Sequence, residues 1–122
     1  MNITEDYVSF EIAKLLKEKG FDAPVNMTYD TKGIIAAKWI DPSLDYISRD
    51  WMFPRVTHQM ALKWLREVHK YLIVVGNKNG NYLYLIKDLK ANTDLGISND
   101  EYITYEEAVE AAIKYCLTNL IK

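Results

Sequence analysis

The sequence predicts an α+β fold: one two-layer domain over residues 1–122, ordered helix–hairpin–helix–hairpin–helix, with an antiparallel sheet of about four strands packed on the helices. Three observations predict it. Three segments open with a hydroxyl residue that can cap a helix, each followed by apolar residues at steps of three and four. Two turn-rich tracts, Asp30–Gly33 and Gly76–Gly80, divide pairs of strand-like runs. The chain has 122 residues, 49% of them apolar and 26% charged, which suits one globular unit with its own core.

The helices begin at Ser9 (SFEIAKLLKEKG), Thr57 (THQMALKWLREVHK) and Thr104 (TYEEAVEAAIKYCLTNLI). Val8, Val56 and Ile103 precede the caps, and Ala13, Ala61 and Ala108 follow them at the spacing of a hydrophobic staple. Glu107 stands three residues after Thr104, as in a capping box. Gly20 is placed to close the first helix, whose start is either Ser9 or nearer Thr4. In the third helix the apolar stripe runs from Tyr105 to Ile121, and Glu106, Glu110, Lys114 and Thr118 occupy the opposite face. That face reads as solvated or as an acidic docking surface.

The first hairpin is VNMTYD and IIAAKW around Asp30–Gly33; the second is YLIVV and NYLYLIKDL around Gly76–Gly80. In the second, Tyr71, Ile73 and Val75 alternate with Leu72 and Val74, and Tyr82, Tyr84 and Ile86 with Leu83 and Leu85. Both faces are apolar, so this hairpin is expected to be covered on both sides. Its tyrosines suit cross-strand packing, with base stacking as the alternative. Residues 91–103 read as a plain connection.

Chemistry-bearing motifs are sparse. Cys116 is the single cysteine, so the fold relies on no internal disulfide. It falls on the apolar stripe of the last helix, where a buried structural thiol is the default and a nucleophile paired with a histidine the alternative. His58 and His69, eleven residues apart on one helix, lie roughly 16 Å apart and cannot share a metal. Asp41, Asp45 and Asp50 lack the loop spacing of a calcium site. No glycine pattern suits phosphate, and no cofactor is expected. The N-terminus carries Glu5 and Asp6 where a signal peptide has a basic region, no apolar run approaches the ~20 residues of a membrane span, and a cytoplasmic protein is expected.

Two features point to partners. Charge is uneven: residues 55–90 hold seven basic and two acidic residues, although the chain as a whole is −2. On the second helix Gln59, Lys63, Arg66 and Lys70 fall within a narrow arc, with Met60, Ala61, Trp64, Leu65 and Val68 turned to the core. With Lys78 from the following turn, that stripe reads as a solvated face, a nucleic-acid contact or a contact for an acidic protein. The second feature is DPSLDYISRDWMFPRV, residues 41–56, long for a connection and rich in apolar mass. Tyr46, Trp51 and Phe53 either fold over the core or anchor a protein partner. A homodimer is also compatible with the sequence.

Together, YVSFEIAKLLKEKGFD at 7–22, THQMALKWLREVHKYLIVV at 57–75 and TYEEAVEAAIKYCLTNLI at 104–121 resemble small uncharacterised proteins encoded by phages and prophages of gut Bacteroidales bacteria. Lys63 to His69 is the most specific piece, and residues 34–56 fit least. The resemblance implies a mobile-element setting inside a bacterial host and assigns no chemistry. The expectation is a non-enzymatic accessory protein that binds a bacterial or phage protein, with nucleic-acid binding through the basic stripe as the alternative.

Overall fold

Ser9 caps the first helix as its position predicts. Its hydroxyl accepts a hydrogen bond from the Ile12 N–H at 3.3 Å, and helix α1 runs Phe10–Glu18. The far end closes as a Schellman motif: Phe21 N–H donates to Leu16 O and Gly20 N–H to Lys17 O, with Gly20 at φ +92°. A residue with a Cβ is strained at that φ, which is why glycine stands there. Phe21 and Leu16 are both buried, as the apolar contact of this motif requires.

The computed structural model describes residues 5–37 and 43–122. An earlier helix start at Thr4, the last predicted strand residues Lys38 and Trp39, and Asp41 at the head of the aromatic segment lie outside the described residues. The chain divides into two compact units, Met1–Thr57 and His58–Lys122.

In the first unit α1 is followed by β1 (Met27–Tyr29), β2 (Ile35–Ala37), a single helical turn α2 (Asp45–Ser48) and β3 (Phe53–Pro54). All pairings are antiparallel, in the order β2–β1–β3. The predicted turn forms: Asp30 Oδ1 accepts from the Lys32 and Ile34 N–H groups, and Gly33 adopts φ +78°. Val8, Ile12, Ala13, Leu16, Phe21, Val25 and Val56 form the apolar core with Tyr29, whose hydroxyl donates to Val8 O. Val8 N–H donates to Val56 O, tying the two ends of this unit together.

The second unit holds α3 (His58–Val68), β4 (Tyr71–Lys78), β5 (Asn81–Asp88), β6 (Thr93–Ile97) and α4 (Tyr105–Tyr115), which runs into a π-helical turn, Cys116–Leu120. The sheet order is β4–β5–β6, antiparallel throughout. The β4–β5 turn is shorter than the tract Gly76–Gly80: strand geometry continues to Lys78, leaving Asn79 (φ 54°) and Gly80 (φ 88°) as a two-residue turn. Two successive positive φ values make a type I′ turn, whose twist matches the strands. Thr104 caps α4 by accepting from the Glu107 N–H at 3.1 Å.

Several expectations are corrected. The α+β class stands, but one sheet of about four strands gives way, among the described residues, to two sheets of three. Each hairpin recruits its own third strand from a segment without alternation. Phe53–Pro54 is two residues long, and Thr93–Ile97 is an edge strand with a bulge opposite Ile86 and Lys87, which breaks strict alternation. Residues 91–103 are therefore not a plain connection. The second hairpin is also not covered on both sides. Tyr84 and Ile86 are buried on the side that α4 packs against, while Val74 and Ile97 on the other side are exposed and Leu72, Leu83 and Leu85 half-buried. Met60 and Val68 are exposed rather than core-facing, whereas Ala61, Trp64 and Leu65 are buried. The staple geometry buries Val8 and Val56 but leaves Ile103 exposed.

Candidate functional site

The aromatic segment is organised by what holds it from beneath. Tyr46, in the single turn α2, is fully buried, and its hydroxyl donates to Ala23 O at 2.7 Å and Phe21 O at 3.2 Å. Burial, and secondarily the Asp22 carboxylate, push that phenol above its ordinary range, so it stays a donor. Lys17 reaches across from α1 and donates to Arg49 O and Met52 O, with its ammonium 5.0 Å from the centre of the Phe53 ring. Phe53 is half-buried in β3 and meets Phe10 edge-on, ring centres 5.5 Å apart. Met52 is buried as well.

The same segment turns three other apolar residues outward. Leu44 and Ile47 are each 49% exposed and Trp51 is 53% exposed. Arg49 places its guanidinium 5.8 Å from the Trp51 ring centre, a cation–π contact worth about 0.5–1 kcal/mol at an exposed site. Ile47 N–H donates to Leu44 O and Met52 N–H to Arg49 O, so backbone hydrogen bonds set the outward spacing. Residues 43–52 thus form a braced platform: Tyr46, Met52 and Lys17 fasten its underside, and Leu44, Ile47 and Trp51 stand on its surface.

Of the three predicted partner anchors, then, Trp51 is displayed, Tyr46 is core and Phe53 is mostly core. Leu44 and Ile47 do not stand out in the sequence, where the aromatic residues of this segment dominate its apolar content. The available signal was the spacing of three and four residues in LDYISRDW, which joins Leu44, Ile47 and Trp51 and leaves Tyr46 out.

The basic stripe is only partly assembled. Gln59 and Lys63 are exposed on α3, and Arg66 lies 3.6 Å from Glu67. Lys70 falls beyond the last helical residue, Val68, in a left-handed conformation at φ 62°. Lys78 ends β4, which at about 3.3 Å per residue puts it roughly 23 Å from Tyr71 at the strand's start. Lys70 and Lys78 therefore bracket a strand rather than extend the helix stripe.

The residues weighed for catalysis have structural surroundings. His58 Nε2 lies 3.3 Å from Glu110 Oε1, joining α3 to α4. His69 is wedged between Trp64 (edge-on, 4.6 Å) and Tyr71 (stacked, 6.2 Å); burial lowers its pKa, and its Nε2 has no hydrogen-bond partner among the described residues. Cys116 is fully buried, which pushes its thiol up to about 12 and disfavours the nucleophilic thiolate. No three of the described His, Cys, Asp and Glu side chains gather as a metal set, and no described helix is long and apolar enough to cross a membrane. Comparison with family models, curated proteins and solved structures finds no match to the chain.

Proposed function

We propose that this chain is a non-enzymatic accessory protein that binds another protein through the platform at residues 43–52, in the phage or prophage setting that the sequence resemblance implies. One observation carries this reading: three apolar residues, one of them tryptophan, are half-exposed on a segment whose alternate side chains are locked into the core. Exposed apolar side chains on a rigid support lose little entropy on docking, and tryptophan is enriched among residues that dominate interface energies. Nucleic-acid binding is less favoured, because Lys70 and Lys78 do not join Lys63 and Arg66 along one helix face.

The test compares baits that fold equally well. Wild type, Ile47→Lys plus Trp51→Lys, and Leu89→Lys are used to capture partners from host lysate, with circular dichroism to verify folding. Leu89 is exposed but lies outside the platform. The reading requires a protein captured by wild type and Leu89→Lys and lost with the double variant. Equal capture by all three baits would refute it. For the nucleic-acid alternative, binding should weaken steeply with salt and the slope should become shallower in Lys63→Ala.

A further inference from the structure

β4 is an outer strand of its sheet, and the pairing of its inner side fixes which of its backbone groups face outward. Leu89 N–H donates to Lys70 O at 2.8 Å, so Lys70 and Leu89 are a hydrogen-bonded pair in the β4–β5 register. In an antiparallel ladder such pairs alternate. Leu72, Val74, Gly76 and Lys78 therefore point their backbone groups at β5, and Tyr71, Ile73, Val75 and Asn77 point theirs away from it. β4 is an outer strand of its sheet, and among the described residues no backbone hydrogen bond reaches those four outward positions. The opposite edge is blunted: β6 has five residues, a bulge and Asp94. β4 has eight residues, no proline and no charge before Lys78.

The charges at its ends say what strand fits. Antiparallel pairing of two β4 edges that engages all four outward residues sets Tyr71 against Asn77 and Ile73 against Val75. It then brings Lys70 of each copy against Lys78 of the other, a like-charge pair at both ends of the ladder. Shifting the register relieves the repulsion but leaves fewer of the outward residues paired. An incoming strand with an acid opposite each lysine meets neither obstacle. The face bearing Leu72, Val74, Leu83, Leu85 and Ile97 would continue across it if it were apolar opposite Leu72, Val74 and Gly76. We propose that β4 accepts an extended segment of a partner protein as a fourth strand. That segment is about nine residues long, acidic at both ends and apolar at alternate positions between them.

The probe is the peptide Glu-Thr-Val-Thr-Val-Thr-Val-Thr-Glu, with a control carrying lysine at both ends, titrated up to about 1 mM and followed by NMR and amide exchange. The acidic peptide should bind the wild-type chain about tenfold more tightly than the lysine peptide, by the size of cross-strand charge pairs. Binding should slow exchange of the Tyr71, Ile73, Val75 and Asn77 amides. Lys70→Glu plus Lys78→Glu should reverse the preference. Val75→Pro, which removes an outward N–H and no β5 hydrogen bond, should weaken both complexes. Equal binding of the two peptides, no binding of either, or sedimentation showing that the wild-type chain already pairs with itself through β4 would each overturn the proposal.

Discussion

Substitution of Tyr46 tests whether residues 43–52 are a platform or a loose arm. Tyr46→Phe keeps the ring and removes the donor that serves Ala23 O at 2.7 Å and Phe21 O at 3.2 Å. One such hydrogen bond contributes about 0.5–1.5 kcal/mol net, and leaving buried acceptors unpaired raises the loss toward about 1–3 kcal/mol. A cost of about 2 kcal/mol is expected. Tyr46→Ala also empties the space of a fully buried ring, which for large aromatics costs about 3–5 kcal/mol. Trp51→Ala takes away a ring half in solvent, and the expected change is within about 1 kcal/mol. Urea unfolding followed by far-UV circular dichroism is the suitable assay, because Trp51 itself contributes to fluorescence. With a urea slope of about 2 kcal/mol per molar, Tyr46→Phe should lower the midpoint by about 1 M. If Tyr46→Phe leaves the midpoint unchanged, or Trp51→Ala lowers it as much, the platform is not fastened from inside. The proposed function then loses its support.

Other outcomes follow from single sites. Lys70→Gly should raise stability by about 1 kcal/mol, because a lysine at φ 62° carries a steric penalty that glycine escapes; a lower melting temperature would contradict that backbone. Cys116 should resist a thiol reagent at pH 8 in the folded chain and react at once in urea; rapid native labelling would mean that the π-helical turn opens. His69 is held below the ordinary imidazole value of 6.5 by burial, so below that pH the unfolded chain binds a proton that the folded chain resists. Stability should therefore fall as pH drops from about 6.5 and level off below the folded value, and His69→Phe should flatten that decline. An unchanged pH profile in His69→Phe would place the titration elsewhere.

Local signals were legible where the physics is local. Ser9 and Thr104 cap because a hydroxyl next to an orphan N–H is a matter of a few bonds. Gly20 and Gly33 adopt the positive φ that glycine tolerates best, and the tract Gly76–Gly80 marks a turn whose actual two residues, Asn79 and Gly80, only the strand pairing decides. Trp64 and Leu65 were readable as core from helical spacing, and Tyr84 and Ile86 share one face by strand alternation. Met60 and Val68 were misassigned because an apolar residue on a helix flank is buried only if a neighbour arrives to cover it.

By itself, then, the sequence determined the α+β class, the helix caps at Ser9 and Thr104, where the hairpins turn and the uneven charge; the caps and turns depend on residues within a few positions of one another. Only the tertiary structure decided that each hairpin gains its own third strand and that β4 is an outer strand whose outward backbone groups are unpaired among the described residues. It also decided that Tyr46 is drawn inward while Leu44, Ile47 and Trp51 remain outside. Those outcomes rest on partners distant in the chain: Phe53 beside Tyr29, Ile97 beside Leu85, and the Tyr46 hydroxyl on the carbonyls of Phe21 and Ala23. Burial is a relation between segments, and no short window of sequence contains both sides of it.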